Sequence, residues 1–491
     1  MSGPLTGKVR SGLRWGVLGG TVQQLASLAT TVVLVRVLTP DEFGVVVAAN
    51  VVVAMAAMFT YLGIRLAIVR TPTLDETTLW TLFWMSTGLG VLTSGGCVAL
   101  AGFAADALGQ PAAAPYLRVL GALILVQTLG GVPRAVLQRE MRFRNIHVVE
   151  LVAAAAQVTT AITAALSGLG AWSLVVGYVA HATVLAVGYW AAVRLRPRLK
   201  FDWSCARRQL RFGAGMWTST SLIYVVRNAD YWAVSRVLGG PTLGIYYVAY
   251  VLPDVLRQRL AWITNEVMLP SFAGIQSELP RLRSIYERAL GLHAAIGTPA
   301  MVGLGAISPV VVDVFFGARW SAAAAPMALV SIAVAAEFVT QPAQNLMIAL
   351  GKTGAVVELQ IGRAVVLVPG VFIAVHLGGL VAVAAVVAGS CIVTAIHAQL
   401  RCARLIQARS AQLLSLMLPT AGASLIMALA VFGVEKLLPA STPALVEMVV
   451  LAGVGAVVYP IVMLLLAPRM SRRLFADVRL LIWRTRKPSV T

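Results

Sequence analysis

The stretch Arg36-Val37-Leu38-Thr39-Pro40-Asp41-Glu42-Phe43-Gly44 separates the first two apolar runs of the chain, and it returns in shortened form 200 positions later. The second copy reads Arg236-Val237-Leu238 and then Leu243-Gly244. A weaker echo opens the apolar run before each copy, as Leu13-Arg14-Trp15-Gly16 and Leu210-Arg211-Phe212-Gly213. Because both matches fall at the ends of corresponding apolar segments, the sequence predicts a chain built from two related halves.

Composition limits the class of protein. Hydrophobic residues make up 59% of the 491 residues and charged residues 12%, and one soluble core could not bury that much apolar surface. The four cysteines, Cys97, Cys205, Cys391 and Cys402, show neither metal-ligand nor disulfide-framework spacing. No small-residue cleavage site follows a short hydrophobic region, so residues 15–38 are predicted to form a retained first span. We therefore expect a polytopic membrane protein without a metal or cofactor.

Apolar runs of about 20 residues, the length that crosses a bilayer as a helix, occur fourteen times and predict an all-α fold. Helices satisfy their own backbone groups in lipid. A membrane chain with two related halves is the usual plan of a secondary transporter, whose site lies where the halves meet. Numbered in order, the predicted spans lie near 15–38, 43–64, 78–105, 116–137, 146–167, 171–194, 212–238, 243–268, 289–316, 322–350, 354–375, 380–400, 412–434 and 445–467.

The chain carries 39 Lys and Arg against 19 Asp and Glu, a net charge of +20. If the N-terminus is cytoplasmic, most of these cations fall in or beside cytoplasmic segments, as the positive-inside rule requires. Both termini are then predicted to be cytoplasmic, and the charge needs no nucleic acid to explain it; anionic membrane lipids are a secondary partner. Basic and apolar residues interleave over Leu474–Trp483, which predicts an amphipathic helix on the inner membrane surface. The cations in the opposite loops are Arg36, Arg236, Arg319 and Lys436.

Arg36–Gly44, which reads RVLTPDEFG after a Gly- and Gln-bearing first span, resembles the N-terminal signature of polysaccharide exporters in the multidrug/oligosaccharidyl-lipid/polysaccharide superfamily. Pro133, Leu137, Arg139 and Phe143, at the end of the fourth span, resemble a second recurrent feature of that family. The resemblance implies a flippase for lipid-linked oligosaccharides in the cytoplasmic membrane, with no covalent chemistry of its own.

The same resemblance implies two six-helix lobes, residues 1–200 and 201–405, followed by an extra helix pair and a cytoplasmic tail in residues 406–491. It also implies a central cavity lined by spans 1, 2, 7 and 8 that opens alternately to the two sides of the membrane. Polysaccharide polymerases and glycosyltransferases are the protein partners that such a role implies.

Spans 1 and 2 each carry a polar face in a segment otherwise suited to lipid. In span 1 the polar residues recur at helical spacing, which predicts that this face looks inward. The small and polar residues of span 2 fit either a substrate-facing surface or a helix-packing seam. The polar positions are Gln23, Gln24, Ser27, Thr30, Thr31, Asn50 and Tyr61, with Arg65 at the cytoplasmic mouth.

Spans 7 and 8 carry charges at depth. Arg227 lies inside span 7 with Asp230 one turn away, and Arg257 lies inside span 8 with Asp254 one turn before it. An ionisable side chain near the bilayer centre costs at least about 2.5 to 3.5 kcal/mol on insertion scales. Either these arginines bind a ligand, or each neutralises the aspartate three positions away as a structural pair.

A polyprenyl-pyrophosphate sugar is a ligand that would suit them, because its anionic head cannot cross hydrocarbon unaided. The planar guanidinium matches phosphate oxygens, so Arg227 and Arg257 are predicted to hold the pyrophosphate and Arg65 to stand at the entrance. Sugar contacts are predicted at neighbouring polar and aromatic side chains, although the tyrosines also fit packing roles. These residues are Gln23, Gln24, Asn50, Tyr224, Tyr246 and Tyr250.

Glu337 on span 10 and Arg363 on span 11 lie at overlapping depth. They fit a structural ion pair or, alternatively, an ion-coupling site.

A cation-coupled multidrug antiporter of the same superfamily is one rival function. Such proteins typically place an acidic residue in an N-lobe span to attract cations, but spans 1 and 2 contain no acidic residue between Gln23 and Tyr61. A membrane-embedded polymerase or glycosyltransferase is another rival function. Such an enzyme is expected to carry catalytic carboxylates on a substantial outer loop, whereas the outer connections here are short. The sequence contains no P-loop pattern, so ATP hydrolysis by this chain is not expected.

Overall fold

The structure, a computed structural model, describes residues 20–471 apart from 22, 25, 61–63, 65–66, 69–73, 275–277, 440 and 469–470, and it omits the side chains of 212–223, 259–271 and 273. Arg65, Tyr61, the predicted tail helix and the start of the predicted first span lie outside the described residues. Every regular element in the described ranges is helical: α1 Ala26–Val37, α2 Pro40–Ala57, α3 Glu76–Ala99, α4 Ala101–Ala107, α5 Ala114–Arg139, α6 Phe143–Leu166, α7 Trp172–Val193, α8 Trp203–Ala273, α9 Leu279–Ala306, α10 Ser308–Phe316, α11 Ala324–Ala349, α12 Thr353–Leu377, α13 Gly379–Leu405, α14 Ser410–Ser415, α15 Leu418–Leu437 and α16 Ala444–Leu466, with 3-10 turns at Met58–Thr60, Pro111–Ala113 and Ala318–Ala323.

Eleven helices in these ranges are long and apolar enough to cross a membrane, and they coincide with predicted spans 2 to 6 and 9 to 14. Spans 7 and 8 both fall within α8, which is interrupted at Gly239 with φ 85° and ψ 175°. Glycine adopts this backbone conformation without a Cβ clash. The chain is therefore an all-helical polytopic membrane protein.

The chain divides into two compact units, residues 1–247 and 248–491. In the first unit α3 packs on α5, α5 on α7, and α6 on α7; in the second, α9 packs on α11, α11 on α13, and α12 on α13. In chain order these are the same three pairings. Each unit also places a short helix, α4 or α10, before its central span, and the following glycine is left-handed at φ +69° for Gly109 and +89° for Gly317.

The turn after the central span repeats as well. Met141, before α6, has φ 56°, and Gly351, before α12, has φ +70°. The next residues, Arg142 and Lys352, are the N-caps of α6 and α12, with φ of −86° and −87°. A left-handed residue ends a helix because it turns the next N–H groups back onto the last carbonyls. The two units thus use one local plan with different residues.

The two copies of the repeated stretch meet inside the first unit. Helix α2 begins at Pro40, whose fixed φ suits the first helical turn. Thr39 is the N-cap, and its side chain accepts a hydrogen bond from the Glu42 N–H. A Cβ added at Gly44 would lie 1.8 Å from the Gly240 carbonyl oxygen, and one at Gly244 would lie 2.3 Å from that of Pro40. The shared glycine lets the two helix starts touch backbone to backbone.

Each unit has its own apolar core. Trp80, Phe83, Trp84 and Trp190 form edge-to-face contacts in the first unit, with ring centroids 5.2 to 5.7 Å apart. In the second unit Phe272, Tyr286 and their neighbours are fully buried. Helix α15 packs on α9 and α16, and both α15 and α16 expose large apolar side chains, as expected of helices that face lipid.

Candidate functional site: an ion cluster on four helices

Glu337 is the centre of an ion cluster in the second unit. Its Oε1 lies 3.1 Å from Nη1 of Arg363, and its Oε2 lies 3.9 Å from Nε of Arg257. Arg257 in turn donates from Nε to Oδ1 of Asp254 at 2.9 Å. Two guanidiniums and two carboxylates therefore form one neutral cluster, and Glu337 stands between the two arginines.

Four helices position this cluster. Asp254 and Arg257 share one turn of α8, three residues apart, so their side chains lie on the same face. Glu337 comes from α11 and Arg363 from α12, while Sγ of Cys391 on α13 lies 4.0 Å from Glu337 Oε1. Helix α11 packs closely on α13, and α12 also packs on α13. The packing of α11 and α12 on α13 therefore brings Glu337 and Arg363 together.

The cluster is only partly shielded from solvent. The Arg363 side chain is 11% exposed, those of Arg257 and Glu337 are each 25% exposed, and that of Asp254 is 40% exposed. Nε of Arg363 is buried and has no hydrogen-bond partner among the described residues. Asp254 also accepts from Nε2 of Gln258 at 2.6 Å. One side of the cluster is open, and one guanidinium donor is unused.

The predicted site residues of the first unit have different surroundings. The Tyr246 hydroxyl donates to Oδ2 of Asp230 at 2.8 Å, and the Tyr231 N–H donates to Oδ1 at 3.0 Å. Tyr246 is fully buried and Asp230 is 2% exposed, so these two predicted residues lie inside the protein and bind each other. The Arg227 side chain, by contrast, is exposed.

The remaining predicted residues lie just before α1 and on α2 and α8. The Tyr224 hydroxyl donates to the Val51 carbonyl at 3.0 Å and so joins α8 to α2. Asn50, beside Val51, is exposed, and Tyr250 is half-buried one turn before Asp254. Gln23 and Gln24 are helical and half-buried just before α1.

A second ion cluster, in the first unit, was missed by sequence reasoning. Nη2 of Arg134 on α5 lies 2.9 Å from Oε1 of Glu150 on α6. The Tyr189 hydroxyl on α7 donates to the same oxygen at 3.2 Å, and Nδ1 of His147 lies 3.0 Å from Oε2. The signal was present, since Arg134 and Glu150 are charges inside predicted spans 4 and 5.

Polar contacts also fix the start of α8. The Ser204 hydroxyl and backbone N–H donate to the Asp202 carboxylate at 2.9 and 2.8 Å, and they lower the pKa of that carboxyl below its ordinary value. The Asp202 N–H donates to the Thr81 hydroxyl at 2.8 Å. The preceding extended segment pairs Arg198 and Lys200 with Glu76, at 2.7 and 2.6 Å. These contacts tie the start of α8 to α3.

A family model described as "Polysaccharide biosynthesis protein" matches residues 33–325. This match spans more than half of the chain and includes Arg36–Gly44, so the chain belongs to that family and the resemblance predicted from its sequence is confirmed. Within the described residues, no group of three or more His, Cys, Asp or Glu is arranged to hold a metal ion.

Named relatives agree with the family. The lipopolysaccharide biosynthesis protein WzxC of Escherichia coli K12 is 26% identical over 77% of both chains. The succinoglycan biosynthesis transport protein ExoT of Rhizobium meliloti is 28% identical over 62% of both. Among solved structures, the lipid II flippase MurJ in an inward closed conformation matches 91% of this chain and 98% of its own, with a TM-score of 0.76 and 11% identity. The fold is therefore that of MurJ.

Proposed function

We propose that the chain is a flippase that moves a polyprenyl-(pyro)phosphate-linked oligosaccharide from the inner to the outer leaflet of the cytoplasmic membrane, for cell-surface polysaccharide synthesis. Family membership supports this function, as do relatives named for lipopolysaccharide biosynthesis and succinoglycan transport. The observation that carries the proposal is the partly exposed guanidinium of Arg257 on α8, the helix that contains predicted spans 7 and 8. Such a cation can bind the anionic head while the prenyl tail remains in lipid.

Arg257 is the first proposed ligand of the pyrophosphate. Its guanidinium already binds Oδ1 of Asp254, and phosphate oxygens are acceptors of the same kind with more charge. Asp254 would hold the guanidinium in place before substrate arrives. Arg227, exposed on α8, is the second proposed ligand, and Arg65 remains the proposed entrance residue.

Sugar recognition is assigned to accessible polar side chains. Asn50 is exposed, and Tyr250, Gln23 and Gln24 are half-buried, which leaves each able to offer a hydrogen bond or a ring face. The Tyr224 hydroxyl donates to the Val51 carbonyl, so we assign only the face of its ring to sugar contact. We assign Tyr246 and Asp230 a supporting role, because both are buried and bound to each other.

For the architecture, we propose two six-span lobes, residues 1–200 and 201–405, followed by a peripheral pair and tail in 406–491. The three helix pairings that recur in the two units support this plan. Both termini are proposed to be cytoplasmic, because that orientation places most Lys and Arg on the inner side. Polysaccharide polymerases and glycosyltransferases are the proposed protein partners, and the chain itself is proposed not to be an enzyme.

The test is transport of a lipid-linked sugar in vesicles reconstituted with the full chain, scored by access of an impermeant sugar-modifying enzyme to the outer leaflet. Arg257→Ala should lower the transport rate by about tenfold to a hundredfold, because a hydrogen-bonded ionic contact is worth about 1.5 to 3 kcal/mol. Arg257→Lys should recover it only in part, since the planar fork is lost. Arg281→Ala is the matched control, because Arg281 forms an i, i+3 pair with Glu278 but is 64% exposed.

The same substitutions at Arg227 test its part in binding. Transport near the wild-type rate in the double variant Asp254→Ala, Arg257→Ala would contradict the pyrophosphate assignment and leave the two residues as a structural pair. Export of organic cations, with no effect on any lipid-linked sugar, would instead identify a multidrug antiporter. New polymer formed from the lipid-linked sugar would identify a polymerase or glycosyltransferase.

A further inference from the structure

We propose that Glu337 is an internal anion that occupies the place of the substrate pyrophosphate between Arg257 and Arg363, and that Arg363 is therefore a further ligand of that pyrophosphate, in addition to Arg257 and Arg227. The inference rests on the proposed function and adds a binding residue and a competitor to its site. In the structure, one carboxylate lies 3.1 Å from the first guanidinium and 3.9 Å from the second. A phosphate group has the oxygens to bridge the same two donors.

The charge of the resting cluster explains why a competitor is needed. With both acids ionised, the two carboxylates cancel the two guanidiniums, so an incoming dianion gains little net attraction. If Glu337 withdraws or takes up a proton, Arg257 and Arg363 face a single carboxylate and the site becomes cationic. Binding of the anion and neutralisation of Glu337 therefore favour each other.

The geometry distinguishes the two acids. Asp254 sits on the same helix as Arg257, at i, i+3, and so can hold that guanidinium while its other face binds substrate. Glu337 comes from α11 and contacts guanidiniums on α8 and α12, so its movement frees both. Nε of Arg363, buried and without a partner among the described residues, is a donor that the carboxylate leaves unused.

No other described group duplicates the position of Glu337. His293 on α9 hydrogen-bonds the Ala289 carbonyl at 2.9 Å, and Glu358 on α12 is paired with Arg401 on α13. Arg257 on α8, Arg363 on α12 and Cys391 on α13 lie within 4.0 Å of Glu337, Asp254 binds Arg257, and Tyr250 lies one turn before Asp254 on α8.

The test uses inorganic pyrophosphate as the probe and measures its dissociation constant by calorimetry on the purified full chain. Glu337→Gln should bind the probe about tenfold more tightly than wild type at pH 8, since one competing charge is removed without loss of side-chain volume. As the pH is lowered, the ratio of the two affinities should approach one. The probe titrates equally in both samples, so the ratio reports Glu337 alone.

Further variants separate the effect of the position of Glu337 from the effect of its charge. Asp254→Asn changes the formal charge by the same amount but does not vacate the position between the arginines, so it should gain less affinity than Glu337→Gln. Arg363→Gln should weaken binding about tenfold, and Arg363→Lys should fall between it and wild type. Arg363→Lys also keeps the cation if Arg363→Gln does not fold. His293→Gln should leave the pH dependence intact.

Unchanged or weaker binding in Glu337→Gln, with Arg363→Lys equal to wild type, would overturn the inference and leave Glu337 and Arg363 as a structural pair. The proposed function would survive that result if Arg257→Ala still abolished probe binding and lipid-linked sugar transport. If Arg257→Ala changed neither, the function itself would fail. The two failures are therefore distinguishable in the same set of samples.

Discussion

The two units share a packing plan, yet their ion clusters are satisfied to different degrees. In the first unit the carboxylate of Glu150 contacts the side chains of Arg134, Tyr189 and His147, and it is 14% exposed. In the second unit Glu337 is 25% exposed and is shared by two arginines, one of which keeps an unused donor. A closed cluster stabilises a fold, whereas an open one can exchange partners. We propose that the first-unit cluster is structural and that the second-unit cluster binds the ligand.

The largest effect is expected from opening the closed cluster. Glu150→Ala leaves Arg134 without its carboxylate among three packed helices, and breaking a buried pair in this way costs about 3 to 5 kcal/mol. Arg134 is 30% exposed, so the low end of that range is expected. The measurement is the thermal midpoint and the yield of monodisperse protein in detergent.

A double variant, Arg134→Met with Glu150→Leu, is the control for this experiment, because it removes both charges and should recover most of the loss. The transport rate per folded molecule should stay near wild type in both proteins. A stable Glu150→Ala protein with defective transport would reverse the comparison and make the first-unit cluster the functional one. Glu337→Gln, by contrast, is expected to keep a normal yield.

A smaller effect is expected where the two copies of the repeated stretch meet. Gly44→Ala would place a Cβ 1.8 Å from the Gly240 carbonyl oxygen, so α2 and the second part of α8 must move apart. Overpacking of this kind costs about 1 to 3 kcal/mol. Gly88→Ala on α3 is the matched control, since its Cβ would meet nothing within 4 Å and alanine favours the helix. Equal midpoints for the two variants, measured by thermal unfolding, would show that the shared glycine has no packing role.

How much of this could be predicted from the sequence depends on how local each feature is. Of the fourteen predicted spans, eleven coincide with membrane-length apolar helices in the described residues, because length and composition alone decide them. The count of fourteen stays a prediction. Spacing places Asp254 and Arg257 on one turn of α8 in the same way. The contact of Arg257 with Glu337 could not be predicted, since it depends on how α8 and α11 meet. Tyr246 and Tyr250 are four residues apart and so share a helix face, yet one is fully buried and the other is not.

The smallest effect is expected at the helix start that distinguishes the two copies. Thr39 caps α2 in a box with Glu42: the Thr39 N–H donates to Glu42 Oε2 at 2.8 Å, and the Glu42 N–H donates to the Thr39 hydroxyl at 3.3 Å. In the second copy Gly239 takes the place of Thr39, and the Thr242 hydroxyl donates instead to the Leu238 carbonyl at 3.0 Å.

Thr39→Ala removes this cap and should lower the free energy of unfolding by about 1 kcal/mol. Thr242→Ala removes only a bond from a side chain to its own helix, so it should change stability by a few tenths at most. The two variants are compared by thermal midpoint in one detergent. If Thr242→Ala were the more damaging, the second copy would be the one that depends on local hydrogen bonds, and the kink at Gly239 would owe its stability to Thr242 and not to the glycine.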